Sequence, residues 1–252
     1  MGNLSPFCAA RLNFMSFPLQ ICYHMCMIFT DTAVLLYRQD FREADRLVCL
    51  YTQTHGRIHA RVPGVARATG KLKALAEPLT WAEFRFYVKR GGVISTVTGG
   101  KIRSVFPTIH RDFKRTSLAL HCCELVMRLT PLHQPSPEKF KLLTTALTEL
   151  EYAAPTPAFS AAFTLRLMTL AGFGLDHPVL QIPADFWQRM HEDKFSNLVF
   201  EDPQDLLSLS KCNSVVHRFL DRYLTYPLNT AKPLGLEEIP FSQEEPVLVS
   251  AL

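Results

Sequence analysis

Phe84-Arg85-Phe86-Tyr87-Val88-Lys89-Arg90-Gly91-Gly92-Val93-Ile94-Ser95-Thr96-Val97 is the stretch whose reading decides the fold. Aromatic and β-branched residues fill both arms, and a glycine pair takes positive φ without steric cost, so it reads as a hairpin joining residues 81–88 to residues 93–103. Upstream, residues 32–37, 47–51 and 57–62 have the same strand-like composition, and His55-Gly56 marks another turn. Five strands within about eighty residues suit a small closed barrel, with the OB architecture the commonest answer and an SH3-like barrel the rival. Alternation along the fourth strand sends Phe84 and Phe86 to the core and leaves Tyr87 and Arg85 on the opposite face.

After Pro107 the apolar period lengthens from two to between three and four. Leu118, Cys122, Leu125 and Leu129 share one helical face, which ends at Thr130-Pro131. Ser136-Pro137-Glu138 opens a second helix carrying Phe140, Leu143, Leu147 and Leu150. A third, opened by Thr156-Pro157, turns Phe159, Phe163, Leu167 and Leu170 inward and stops at Gly172 and Gly174, and a last one carries Val215, Phe219 and Tyr223. Pro178, Pro183 and Pro203 break every pattern between residues 175 and 205, which therefore read as irregular. The expectation is an α+β chain: an N-terminal OB-fold β-barrel at 27–106, an α-helical bundle domain at 107–240, a weakly ordered extension at 1–26 and a C-terminal tail at 241–252.

Composition narrows the function. The 252 residues are 48% hydrophobic and 20% charged, with a mean hydropathy of +0.06, which excludes a disordered, collagenous or polytopic membrane chain. The net charge of +4 is unevenly spread: residues 28–115 hold 16 Lys and Arg against 7 Asp and Glu, whereas residues 116–252 hold 10 against 16. A basic half that meets a polyanion and an acidic half that packs or binds protein is the simplest reading. Seven irregularly spaced cysteines suit a reducing cytoplasm rather than a disulfide framework. The uncharged stretch 12–30 is interrupted by Asn13, Ser16, Pro18, Gln20 and His24, and neither a spanning helix nor a signal peptide is expected there.

Enzyme signatures are missing from the sequence: there is no G-x-S-x-G, H-E-x-x-H, Walker loop or G-x-G-x-x-G, and the nine histidines lack ligand spacing. His121-Cys122-Cys123 sits in an apolar helical run, where thiols act as small hydrophobes, so catalytic residues, cofactors and metals are all expected to be none. The informative stretch runs from His55 to Pro78, with Arg57, Arg61, Arg67, Lys71 and Lys73 preceding the first carboxylate, Glu77. Its middle, Pro63 to Gly70, is rich in glycine and alanine, letting cationic arms and backbone amides approach phosphates. Lys89, Arg90, Lys101 and Arg103 extend the basic patch, and Tyr87 is the stacking candidate.

The segment from Tyr37 to Arg57, the basic loop and Leu72-Lys73-Ala74-Leu75-Ala76-Glu77-Pro78 together resemble the N-terminal domain of the RecO family of bacterial recombination-repair mediators. Phe163-Thr164-Leu165-Arg166-Leu167 with Gly172-Phe173-Gly174 is similar to the family's central helix and glycine turn, and Phe219-Leu220-Asp221-Arg222-Tyr223-Leu224 to its late helix. Two departures stand out. Leu175-Asp176-His177-Pro178 follows the glycine turn where many members carry a cysteine zinc knuckle, and no cysteine comes before Cys212, so no zinc is expected. Pro63 and Ala66 occupy loop positions where the family usually has Lys and Arg, with Arg61 and Arg67 adjacent.

The resemblance implies a DNA repair and recombination protein without covalent chemistry, located in the cytoplasm with the nucleoid. It would bind single-stranded DNA, with double-stranded DNA as a second form, anneal complementary strands and, with RecR, help load RecA onto gaps coated with single-strand-binding protein. It further implies a grip on that protein's acidic C-terminal tail by the helical domain, for which Lys139, Lys141 and Arg166 are the rim candidates. The same basic loop would serve an RNA- or tRNA-binding OB protein, and a protein-interaction scaffold is the reading from another class.

Overall fold

The computed structural model describes residues 27–66, 70, 72–90, 94–173, 182–224 and 228–230. Five strands, β1 (Met27–Phe41), β2 (Asp45–Thr52), β3 (Gly56–Val62), β4 (Trp81–Val88) and β5 (Ser95–Ser104), close a barrel in the order β1-β2-β3-β5-β4. Neighbours are antiparallel except β3 and β5, which pair in parallel through Ala60–Ser95 and Arg61–Thr96. This is the OB arrangement. β1 is far longer than the expected 32–37, because it serves two partners: residues 27–34 pair with β4 and residues 33–41 with β2, across an irregularity between Leu35 and Tyr37. Ladder hydrogen bonds hold its polar ends, which side-chain patterning does not reveal.

Alternation fills the barrel as the sequence reading requires. Phe84 and Phe86 are fully buried, Phe86 stacks on Phe29 at 4.9 Å, and Leu35, Leu50 and Val97 complete the layer. Each phenylalanine contributes about 2–3 kcal/mol by leaving water. A 3-10 turn, Lys73–Ala76, adds buried Leu75 and Ala76 to the same cluster. The Gly91-Gly92 turn lies outside the described residues.

Six α-helices follow among the described residues: α1 (Pro107–Arg111), α2 (Phe113–Leu129), α3 (Pro137–Tyr152), α4 (Phe159–Leu170), α5 (Ala184–Glu192) and α6 (Pro203–Tyr223). Asp112 caps α2 by accepting from the Arg115 amide, and Ser136 caps α3 by accepting from that of Lys139. The expected irregularity of 175–205 is corrected from residue 182 onward. α5 starts directly after Pro183, and α6 carries Pro203 in its first turn, so these prolines open helices rather than break them. Residues 174–181, with His177 and Pro178, lie outside the described residues.

The helices pack onto the barrel through a second core, distinct from the one that fills the barrel. Val34, Leu36, Cys49 and Tyr51 point outward from β1 and β2 into the cluster containing Leu118, Cys122, Phe140 and Phe163. The Tyr51 and Phe140 rings stack at 6.5 Å. Gly56 marks the closest approach: at φ +69°, an added Cβ would lie 2.3 Å from the Gln134 carbonyl oxygen in the α2–α3 connection. Burial pushes the Cys123 thiol up to about 12 and Cys122 well above its usual value, while His121 is driven down to about 4. These are core residues without a nucleophile's activation.

Candidate nucleic-acid interface

Because the helices cover the outer faces of β1 and β2, the open outer surface of the barrel runs across β3, β5, β4 and the start of β1. Strand register lays it out in rows. Arg61 on β3 is opposite Thr96 on β5, which is opposite Tyr87 on β4, which is opposite Ile28 on β1. The next row places Gly99, Arg85 and Thr30 side by side, and the next Lys101, Glu83 and Thr32. Thr30, Glu83, Arg85, Gly99, Gly100 and Lys101 line a shallow depression of about 250 Å³. A Cβ on Gly99 would meet nothing within 4 Å, whereas one on Gly100 would lie 2.6 Å from the Glu83 carbonyl. The floor is therefore open to a chain lying flat upon it.

The expected site residues divide into three groups. Arg61, Tyr87, Lys101 and Arg103 are brought onto this one flank, and exposed Lys89 and Arg90 continue from the end of β4. Arg61 is half-buried and shares its charge with Asp45 at 3.4 Å, while Arg103 lies 3.9 Å from Glu83 and over the Trp81 ring at 5.9 Å. Both of these carboxylates come from the barrel itself rather than from the helices. Lys73 is exposed on the 3-10 turn, and Arg67 and Lys71 lie outside the described residues.

Arg57 departs from the expected role. Its outward side chain is half-buried beside the α2–α3 connection, its carbonyl accepts from the His133 amide, and its Nε is buried. Burial raises the Cys49 thiol to about 11, and Arg57 beside it opposes that rise. It belongs to the barrel–helix junction. Arg85 is a residue missing from the expected binding set: it is exposed in the centre of the flank, and strand alternation alone is enough to find it.

Among the helical candidates, Lys141 is exposed on α3 and Lys139 is half-buried, its pKa lowered by that burial despite Glu138. Arg166 is committed internally. Its Nε donates to the Met190 carbonyl at 2.8 Å, its Nη2 to that of Asp193 at 2.5 Å, and its guanidinium lies 4.3 Å from the Phe195 ring centroid. Glu149 acts on Arg166 from the far end of α3, about 15 Å of helix from Lys139, so the three do not converge on one rim. No group of His, Cys, Asp and Glu that could hold a metal occurs among the described residues, and no helix there is long and apolar enough to cross a membrane.

A closed five-stranded OB barrel with a helical bundle built onto β1 and β2, and cations gathered on the remaining flank, defines the class of protein. Residues 27–106 match the family model described as Recombination protein O N terminal, and residues 110–177 that described as Recombination protein O C terminal. The chain belongs to the RecO family. It is 31% identical over 147 residues to the DNA repair protein RecO of Geobacter metallireducens and 30% identical over 146 residues to that of Pelotomaculum thermopropionicum. These alignments cover 58% of this chain in each case, and 59% and 56% of the respective relatives. With the RecO protein of Desulforudis audaxviator the identity is 28% over 221 residues, covering 83% of this chain and 84% of the relative. The chain spans less than two thirds of the length of the first two of these relatives.

Proposed function

We propose that this chain is a non-catalytic mediator of recombinational repair that binds single-stranded DNA on the β3–β5–β4 flank and anneals complementary strands. The observation carrying this reading is the alignment of Arg61, Arg85, Lys101 and Arg103 on the outer barrel surface that, among the described residues, the helices leave open. Cations spaced along a flat surface neutralise phosphates of a flexible strand, and Tyr87 among them offers a ring to a base. Screening the repulsion between two strands is then enough to speed their pairing, with no bond made or broken. Assembly with RecR, recognition of the single-strand-binding protein's tail and delivery of RecA are the family roles we extend to it, in the cytoplasm.

Replacing Arg61, Arg85, Lys101 and Arg103 together by Ala tests the assignment. The surface is solvent-facing, so the fold is retained. Affinity for oligo(dT) should fall by more than tenfold, and the slope of log K against log salt should become shallower by about 0.7 for each phosphate no longer neutralised. Unchanged affinity and slope in the folded variant would refute it. A preference for RNA over DNA of the same sequence would favour an RNA-binding function.

A further inference from the structure

Where β5 leaves the barrel, the chain enters α1 and α2 through residues whose exposure the fold does not account for. Phe113, the first residue of α2, is 74% exposed, and Tyr152, the last of α3, is 85% exposed. A hydrogen-bonded knot ties together the helix ends that carry them. Arg115 Nη1 donates to the Leu150 carbonyl at 2.6 Å and to that of Glu151 at 3.1 Å. The Glu151 carboxylate in turn accepts from the Thr108 and Ile109 amides at the start of α1. Phe113 precedes Arg115 by two residues and Tyr152 directly follows Glu151, so both exposed residues belong to this corner.

Charge at the knot is one-sided. Asp112 is used as the cap of α2 and lies 3.7 Å from Arg115, and Glu151, although burial would raise its pKa, is held below its ordinary value by the Thr108 and Ile109 amides and Arg115. Arg111 and Lys114 are exposed and pair with no carboxylate among the described residues. Lys114 stands in the first turn of α2, where a cation opposes the helix dipole, so helix stability does not explain it. The patch also continues the cationic flank: Arg103 and Arg111 are eight positions apart in the chain, through α1, a span of at most about 20 Å.

We infer that Phe113 and Tyr152, flanked by Arg111 and Lys114, form a second stacking platform, onto which a single strand leaving β5 continues. This rests on the strand-binding reading of the barrel flank. Two exposed rings beside unpaired cations match the chemistry of unstacked bases on a phosphate chain, which needs both a π-face and positive charge. The barrel and the α1–α2–α3 knot then act as one track longer than the barrel alone, which an annealing protein uses to hold a strand extended.

The test compares oligo(dT) of about 8 and about 25 nucleotides, within and above the size one OB barrel accommodates. The Phe113→Ala/Tyr152→Ala variant should bind the short oligonucleotide like the parent chain and the long one at least tenfold more weakly, since one stacked base alone is worth that order. Tyr152→Phe should restore long-strand binding, and Tyr152→Trp should have its fluorescence quenched by the long oligonucleotide only. Parent-like binding of both lengths by the double alanine variant, while the barrel variant loses both, would overturn the platform and leave the barrel reading standing. Failure of the parent chain to bind either length would overturn both.

Discussion

Gly56 and Asp31 illustrate how single residues at the β2–β3 turn set the junction. Gly56→Ala would place a methyl group against the Gln134 carbonyl while forcing φ +69°, whereas Gly172→Ala keeps φ +86° but meets nothing within 4 Å. The first should lose about 3 kcal/mol and the second about 1 kcal/mol. In thermal unfolding this is a fall in Tm of about 6–12 °C against about 2–4 °C, and equal shifts would show that the α2–α3 connection moves aside. Asp31, buried at the barrel end, accepts from the Thr54 amide and hydroxyl at 3.1 and 2.7 Å and lies 2.8 Å from His55 Nδ1. Burial alone would raise its pKa, but the hydrogen bonds from His55 and Thr54 outweigh it and hold the carboxyl below 3.8. A lowered folded-state pKa stabilises the protein above the unfolded value and stops doing so as acid protonates the folded group. Asp31→Asn should therefore cost about 1–3 kcal/mol in denaturant at neutral pH, a gap that closes as the pH falls through and below 3.8. A gap independent of pH would assign the effect to packing.

At the scale of elements, the strands and helices α2, α3 and α4 are legible in the sequence because one physical signal dominates each, whereas the short α1 is not. Alternation places Phe84 and Phe86 in the barrel, and the Ser136-Pro137 start announces α3 before its apolar face does. α5 is not legible, since proline both opens and breaks helices and the sequence alone does not say which. Its short amphipathic turn is held by tertiary partners: Arg189 grips Asp205 of α6 at 2.8 and 3.0 Å, and Arg166 of α4 holds the carbonyls at its C-terminal end. The same bonds explain why Arg166 reads as an open rim cation in the sequence, because its burial depends on a helix that patterning does not reveal. Arg166→Met keeps the stem and removes the donors, leaving the Met190 and Asp193 carbonyls without that partner. It should lower stability by about 2–3 kcal/mol in urea while leaving oligonucleotide affinity unchanged. A variant of native stability with weakened binding to an acidic peptide would instead restore the rim role.

Across the whole molecule, the cationic flank exists because the helices take the other side of the barrel. Had β1 and β2 kept solvent-facing outer surfaces, Val34, Leu36 and Tyr51 would expose an apolar patch; in the shared core they bind α2 and α3 instead. Covering them also fixes the orientation of β4 and β5 relative to α1, which links the barrel flank to the knot at Phe113 and Tyr152. The charge asymmetry of the two halves is legible from the sequence, but this division of the barrel surface is not, since the outward strand residues read alike until a partner covers them. The core between the helices and the outer faces of β1 and β2 couples barrel to bundle, so a single unfolding transition is expected. The chain has two tryptophans, Trp81 on β4 and Trp187 on α5, each packed against that core from its own side. Trp81→Phe and Trp187→Phe variants therefore leave one fluorescent reporter in each half, and their urea midpoints, corrected for any change in total stability, should coincide with similar slopes. Separated midpoints would mean that the barrel and the bundle fold independently, and that the strand-binding flank is positioned by β5 and α1 alone.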